Sequence, residues 1–331
     1  MAKNNNLHNA KKAKNDEFYT RLEDIEKEMC HYREHFRGKV IYCNCDDPKE
    51  SNFFKFFSLQ FEFLGLKKLI STGYKENGHG VAYVYEGDKN GNNLPDDSEI
   101  QTYELQGNGD FRSEECIEFL KEADVVVTNP PFSLFREYVS QLVEYGKKFL
   151  IIGNLNAILY KEVFPYIKEN KIWLGCSSFN RGMYFNVPEN YEYAPTYKFE
   201  REKNNKKVMR VASICWFTNL GHDHRNRPLD LTQRYDPRYY PKYDNYDAIE
   251  CSKVMDIPRD YDGVIGVPIT FLDKYCPKQF RIVGIACGNT RASYPKSILD
   301  YVHYIPNPND RGGCGVINGI RCYARILIQK I

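Results

Sequence analysis

The feature that most limits what this chain can fold into lies between residues 39 and 153. There, short apolar stretches alternate with amphipathic ones. KVIYCNC (39–45), LKKLIST (66–72), ADVVVT (123–128) and KKFLIIG (147–153) are short and largely apolar, as buried strands are. Between the first two stands SNFFKFFSLQFEFLG (51–65), with Ser51 or Asn52 placed to cap a helix and Gly65 to stop it. Residues 113–122 and SLFREYVSQLVEYG (133–146) read as further helices. Strand–helix–strand alternation of this kind predicts an α/β fold built on a doubly wound, mostly parallel sheet.

Other segments complete the outline. A helix is expected from Leu22 to Phe36, with Leu22, Ile25, Met29, Tyr32 and Phe36 on one face and Gly38 ending it. Residues 73–112 are rich in Gly, Asn and Asp and hold two alternating runs, VAYVYEG and SEIQTYEL, which predicts a β-hairpin insertion. VMRVASICWFTNL, within 207–220, is expected to complete the sheet as one further strand. After Gly221 the texture becomes Tyr-, Asp- and Arg-rich, and 263–331 reads as short β segments. The expected domains are therefore a mobile basic tail (1–15), a catalytic domain (16–220) and a smaller C-terminal module (221–331).

Net charge is only +2, so any nucleic-acid surface must come from local segregation of charge. The 26 Tyr and 20 Phe suit base stacking and an aromatic core equally well. Eleven cysteines form no CxxC pair, so zinc is not expected; scattered thiols and the lack of a signal peptide suggest a reducing, cytoplasmic setting. No apolar run approaches membrane-spanning length.

The strongest chemical signal is TNPPF (Thr128–Phe132), directly after the strand ADVVV and ahead of a helix. In a doubly wound sheet that is the carboxyl end of a strand, where ligands bind. The amino group of adenine is a poor nucleophile because its lone pair is delocalised into the ring. The Asn129 side-chain oxygen and the Pro130 carbonyl can each accept one of its hydrogens and favour a more tetrahedral nitrogen. Pro130 and Pro131 stiffen the loop and offer no N–H to repel a donor. Phe132 supplies a flat face for an unstacked base. The alternative is a rigid turn with a core Phe.

Three weaker signals accompany it. CNCDDPKESNFF (43–54) puts acidic residues where the first strand gives way to a helix, the seat of a nucleoside cofactor in such sheets, although no glycine-rich loop is present. GNGDFRS (107–113) sets Asp110 in a turn, positioned to accept from a cofactor's adenine amino group. NDEFYT (15–20) brings two aromatics and a hydroxyl to a helix N-terminus, a good seat for a carboxylate.

Together NDEFYT, CNCDDP…SNF, GDFRS, VVVTNPPFSLFREYV, LIIGNLNAI, WFTNL, YDNYDAIE and GVPITFLDKY resemble the EcoRI-type adenine-specific DNA modification methyltransferases, over nearly the whole chain from about residue 15. The resemblance implies a Rossmann-like class I methyltransferase core. S-adenosylmethionine would be the donor, and adenine N6 in a short duplex DNA sequence the acceptor. Carried over by position, Phe18, Tyr19 and Thr20 border the methionine part of the cofactor. Asp46, Asp47 and Pro48 replace the glycine-rich loop, Asp110 faces the cofactor adenine, and Asn129, Pro130, Pro131 and Phe132 form the target-base pocket. The second strand ends in ISTGY, with no carboxylate for the ribose hydroxyls, which departs from the common methyltransferase pattern.

The C-terminal module then becomes the target-recognition module. The local basic candidates for DNA contact are Arg201, Lys206 and Lys207 in REKNNKKVMR, and Arg225 and Arg227 in HDHRNR. No metal is expected. Double-stranded DNA is the expected partner of a monomeric enzyme, either beside an independently acting cognate restriction endonuclease or as an orphan or phage enzyme. Rival readings are an amino-group methyltransferase acting on RNA or protein glutamine, and a catalytically inactive DNA-binding module.

Overall fold

A computed structural model describes residues 19–92, 94–177, 182–186, 199–201 (backbone only) and 207–331. The basic tail 1–15, Phe18 and Lys206 lie outside the described residues. By its contacts the chain divides into two units, one formed by 1–157 and 174–222 and the other by 158–173 and 223–331.

In chain order the strands up to Thr218 are β1 (Tyr19–Thr20), β2 (Val40–Asn44), β3 (Lys68–Gly73), β4 (Val81–Tyr85), β5 (Gln101–Glu104), β6 (Val125–Thr128), β7 (Lys148–Asn154), β8 (Trp173–Leu174), β9 (Met183–Asn186), β10 (Phe199–Arg201), β11 (Lys207–Val211) and β12 (Ile214–Thr218). Eight of them form one sheet in the order β5-β4-β3-β2-β6-β7-β12-β8. β2 pairs in parallel with β3 and β6, and β6 with β7. The pairings of β3 with β4, β4 with β5 and β7 with β12 are antiparallel. The fold is thus mixed α/β. Parallel pairing is confined to the centre because the 73–112 insertion folds back as a hairpin and β12 returns along β7.

One expectation is corrected here. VMRVASICWFTNL is two strands in two sheets. After β11 the chain turns at Ala212–Ser213, so that only β12 joins the large sheet. β11 instead pairs with β9 and β10 in a small sheet that also holds β1. Both halves are apolar, so local pattern does not separate them.

The helices follow their caps. Ser51 accepts from the Phe53 amide at the start of Asn52–Leu59, and Ser113 from the Cys116 amide at the start of Glu114–Glu122. The helix expected over Leu22–Phe36 is broken into Leu22–Met29 and Arg33–Phe36. Its apolar face survives the break, with Ile25, Met29, Tyr32 and Phe36 all buried. Glu28 is buried among the same residues. Its carboxylate accepts from the Tyr32 hydroxyl at 2.9 Å and from the amides of Cys176 and Ser177 at 2.7 Å each. Burial still pushes this carboxyl above the usual range, and Gly175 admits it, because a Cβ there would lie 2.3 Å from Glu28 Oε1.

In the second unit, Ala248–Glu250, Val264–Pro268, Phe280–Ala286 and Arg325–Lys330 make a four-stranded sheet with Arg325–Lys330 between the second and third. Tyr243, Tyr246, Val264, Val283 and Leu327 pack in its core. Glu250 and Arg325 form a largely buried ion pair at 2.8 Å, to which Tyr243 adds its hydroxyl. Among the described residues no helix is long and apolar enough to cross a membrane.

Candidate active site

The parallel centre of the large sheet sends the carboxyl ends of β2, β3, β6 and β7 to one edge. From β2 the chain passes to its neighbour β3, whereas β6 and β7 lie on the other side of β2. The strand order therefore reverses between β2 and β6. Loops leaving two strands at such a point diverge and leave a crevice. The loop after β2 is CDDP (Cys45–Pro48) and the loop after β6 is NPPF.

Asn44, the last residue of β2, ties that strand end to the elements on either side of NPPF. Its main-chain oxygen accepts from the Thr128 hydroxyl at the end of β6, and its buried side-chain oxygen accepts from the Tyr138 hydroxyl. Cys45 then takes a left-handed backbone with φ +75°, a conformation uncommon for a residue with a side chain. This turn leads the chain into Asp46. The Ser51 hydroxyl donates to Asp46 at 3.2 Å, and the Asp47 carboxylate accepts from the Lys49 amide at 3.0 Å. Burial and then the charge of Asp46, with smaller help from Cys116 and Asp110, push the Cys45 thiol up, so both carboxylates act on one sulfur.

The Asp110 turn is seated against the same edge. Gly109 has φ +80°, and a Cβ on it would lie 2.3 Å from the Gly73 oxygen at the end of β3; one on Gly73 would lie 2.9 Å from Pro48 Cδ. Only glycines let these backbones approach so closely. Both Asp110 oxygens accept from Arg112, from Nε at 2.8 Å and Nη2 at 2.7 Å, which holds the carboxyl below the usual range. Arg112 Nη1 also reaches Glu137 at 2.9 Å, on the helix that follows NPPF. Phe111 packs edge-on to Tyr138 with ring centres 5.0 Å apart.

Asn129 and Pro130 are buried, while Pro131 and Phe132 are half-buried, with Phe132 leaning on the apolar core. Phe135 anchors the loop from below, since a Cβ on Gly153 would lie 2.5 Å from its ring. On the amino-terminal side, Asn52 at the start of its helix donates to the Thr20 carbonyl at 2.7 Å. The Thr20 hydroxyl is buried and has no hydrogen-bond partner among the described residues. The first unit thus brings Thr20, Asp46, Asp47, Pro48, Asp110 and NPPF onto one framework, and Tyr19 stands beside Thr20 in β1.

The sequence matches a family described as adenine-specific methyltransferase EcoRI, over residues 6–331. The chain belongs to this EcoRI methylase family. It is 53% identical over 299 residues to the Type II methyltransferase M.EcoRI of Escherichia coli, covering 87% of this chain and 91% of that one. It is 40% identical to M.MgeORF184P of Mycoplasma genitalium and 39% identical to M.MpnI of Mycoplasma pneumoniae, each over 97% of both chains and each a Type II methyltransferase. The chain is an adenine-specific Type II DNA methyltransferase, and the readings as an RNA or protein methyltransferase or an inactive DNA-binding module fall away.

The basic candidates are dispersed. Arg201 and Lys207 face each other across the β10–β11 pair of the small sheet. Arg225 belongs to the second unit, where its guanidinium lies over Trp173 at 3.2 Å from the ring centre and donates to Asn170; burial lowers it to about 10. Arg227 Nε donates to the Asp223 carbonyl at 2.8 Å. The sequence offered Asn52 only as a helix cap, not as the partner of Thr20, and gave Asn44, Arg112 and Tyr138 no role of their own. Single polar or aromatic residues in helices, turns and strand ends carry no local sign of their distant partners.

Proposed function

We propose that this enzyme transfers a methyl group from S-adenosylmethionine to N6 of an adenine turned out of duplex DNA, at the carboxyl ends of β2 and β6. The observation that carries the reading is the reversal of strand order between those strands, with Asn44 at the end of β2 bonded to Thr128 and Tyr138 on either side of NPPF. We read the sheet as the doubly wound, Rossmann-like core of a class I methyltransferase, with the second unit contributing target recognition. The segment 158–173 groups with that second unit, so the working division is not a single cut near 220.

The residues fit the donor. The buried Thr20 hydroxyl is a polar group without a partner among the described residues, and the close packing of the buried Gly73, Gly80 and Gly109 holds the Asp110 turn against the end of β3 and beside the CDDP loop. Tyr19 and Thr20 would hold the amino-acid end. Asp46, Asp47 and Pro48 would hold the nucleoside, and Asp110, steadied by Arg112, would receive the adenine. When bound, the cofactor supplies an electrophilic methyl group on a sulfonium.

The chain's own residues prepare the acceptor. Asn129 Oδ1 and the Pro130 carbonyl accept the two N6 hydrogens, which localises the nitrogen lone pair. No side chain needs to take the proton before attack, because the nitrogen becomes acidic only as the methyl bond forms. Burial of Asn129 and Pro130 excludes water and strengthens both hydrogen bonds. Phe132 offers its half-exposed ring to the base, and stacking returns about 1–3 kcal/mol of the cost of unstacking.

Asn129→Ala tests this. It should reduce kcat by far more than tenfold, about 1.4 kcal/mol, while calorimetry finds cofactor affinity unchanged. Retention of more than a tenth of wild-type kcat would remove Asn129 from the acceptor site. We further read the enzyme as a cytoplasmic monomer on DNA that protects sites from an independently acting cognate endonuclease.

A further inference from the structure

In the second unit, several polar contacts hold one exposed hairpin. Val316–Ile317 pairs with Ile320–Arg321 across Asn318 and Gly319, whose φ values of +50° and +75° make the tight turn that suits a two-residue hairpin. The Asp244 carboxylate accepts from both turn amides, Asn318 at 3.2 Å and Gly319 at 2.8 Å. Asn309 donates to the Gly319 carbonyl at 2.9 Å. Asn245, 1% exposed, clamps the incoming strand, donating to Cys314 O and accepting from Val316 N at 2.9 Å each. The YDNYD block is thus a brace.

What it braces is displayed to solvent. Ile320 is 73% and Tyr323 87% exposed, and Asn318, Arg321 and the neighbouring Arg311 are exposed as well. A rigid mount for exposed apolar side chains gains nothing for the fold. The local carboxylates are already used. Asp310 pairs with Arg291, Glu250 with Arg325, and Asp244 holds main-chain amides. Among the described residues Arg311 and Arg321 have no ion-pair partner, and both act on the Cys314 thiol, so two uncompensated cations flank the hairpin. By contrast, Arg225 is folded onto Trp173.

We propose that the Val316–Arg321 hairpin is the element this enzyme sets into the major groove of its duplex. Arg321 reads a base edge, Ile320 and Tyr323 make apolar contact with bases, and Arg311 meets a phosphate. A two-stranded ribbon fits the major groove, Arg is the commonest reader of guanine, and thymine offers a methyl group to an apolar side chain. The proposal rests on the enzyme's action on DNA and is independent of where cofactor and acceptor sit.

The test uses the full chain and a duplex carrying its own methylated sequence, found by methylation-sensitive sequencing of an expressing host. Arg321→Ala should bind that duplex about tenfold more weakly and lose discrimination at one base position. Arg311→Ala should weaken cognate and non-cognate binding alike and lower the slope of log affinity against log salt by about 1. Tyr323→Ala should reduce cognate binding alone. All three should bind S-adenosylmethionine as the wild type does. If all three stay within twofold of wild type in DNA affinity, base preference and salt slope, the hairpin does not contact DNA. If cofactor binding falls with DNA binding, the hairpin acts through the fold and the proposal fails. Activity retained by Asn129→Ala would overturn the acceptor assignment and leave the hairpin proposal standing.

Discussion

Asn52 donates its side-chain amide to the main-chain oxygen of Thr20 at 2.7 Å, which fastens the strand leaving NDEFYT to the N-terminus of the helix that follows the CDDP loop. One hydrogen bond thereby joins two of the segments assigned to the cofactor. Asn52→Ala should cost about 1 kcal/mol of cofactor binding, roughly a fivefold weaker Kd, with the thermal midpoint little changed because the site is half-buried. Calorimetry with S-adenosylmethionine decides it. An unchanged Kd would mean that the contact only seats the strand.

Asp110 reaches the acceptor side through Arg112. Asp46→Ala, Asp47→Ala and Asp110→Ala should each weaken cofactor binding by about 1–3 kcal/mol, the value of a hydrogen bond to a charged group. Arg112→Ala should weaken it too, by freeing the Asp110 turn, whereas Glu137→Gln should be milder because the Asp110 contacts remain. If none of the three aspartate variants binds more weakly, the cofactor lies elsewhere.

Phe132 bears on base flipping. The base must leave the stack for the methyl group to approach in line with the nitrogen lone pair. Phe132→Ala should slow transfer, and Phe132→Tyr or Trp should do so less because a flat face remains. With 2-aminopurine at the target position, binding should raise fluorescence. Persistent quenching in a specific complex, with Phe132→Ala at the wild-type rate, would return the ring to a packing role against the core.

Asp310 makes the second unit sensitive to acid. Burial acts to raise its carboxyl, but the Tyr304 hydroxyl, the amides of Asn307 and Gly312 and the charge of Arg291 override it, leaving the group at about 2 against an ordinary 3.8. A depressed folded-state value contributes stability above the unfolded value and loses it as pH falls through the folded one. The contribution should be about 1–2 kcal/mol at neutral pH, declining between about pH 5 and 2. Asp310→Asn should therefore be less stable than wild type at pH 6, with the gap narrowing by pH 3. Denaturant titrations giving the same gap at both values would contradict the assignment.

Much of this protein is local and was written in the sequence. Each central strand is an apolar run, Ser51 and Ser113 announce their helices, the Gly- and Asn-rich insertion is a hairpin, and NPPF sits at a strand end because two prolines cannot continue a ladder. Periodicity reports which face of an element is apolar, not which element covers it. For that reason the split of 207–220 between two sheets escaped it, as did the break after Met29 and the return of 158–173 to the second unit. The partners of Asn44 make the same point. Tyr138 lies 94 positions away, and only the pairing of β2 with β6 brings its hydroxyl to the Asn44 oxygen. Likewise HDHRNR looks like a basic patch until Trp173 takes up Arg225, and YDNYD looks like a loop until the hairpin closes on Asp244. Sequence fixes which groups are available; long-range pairing, which no local window contains, decides which of them meet.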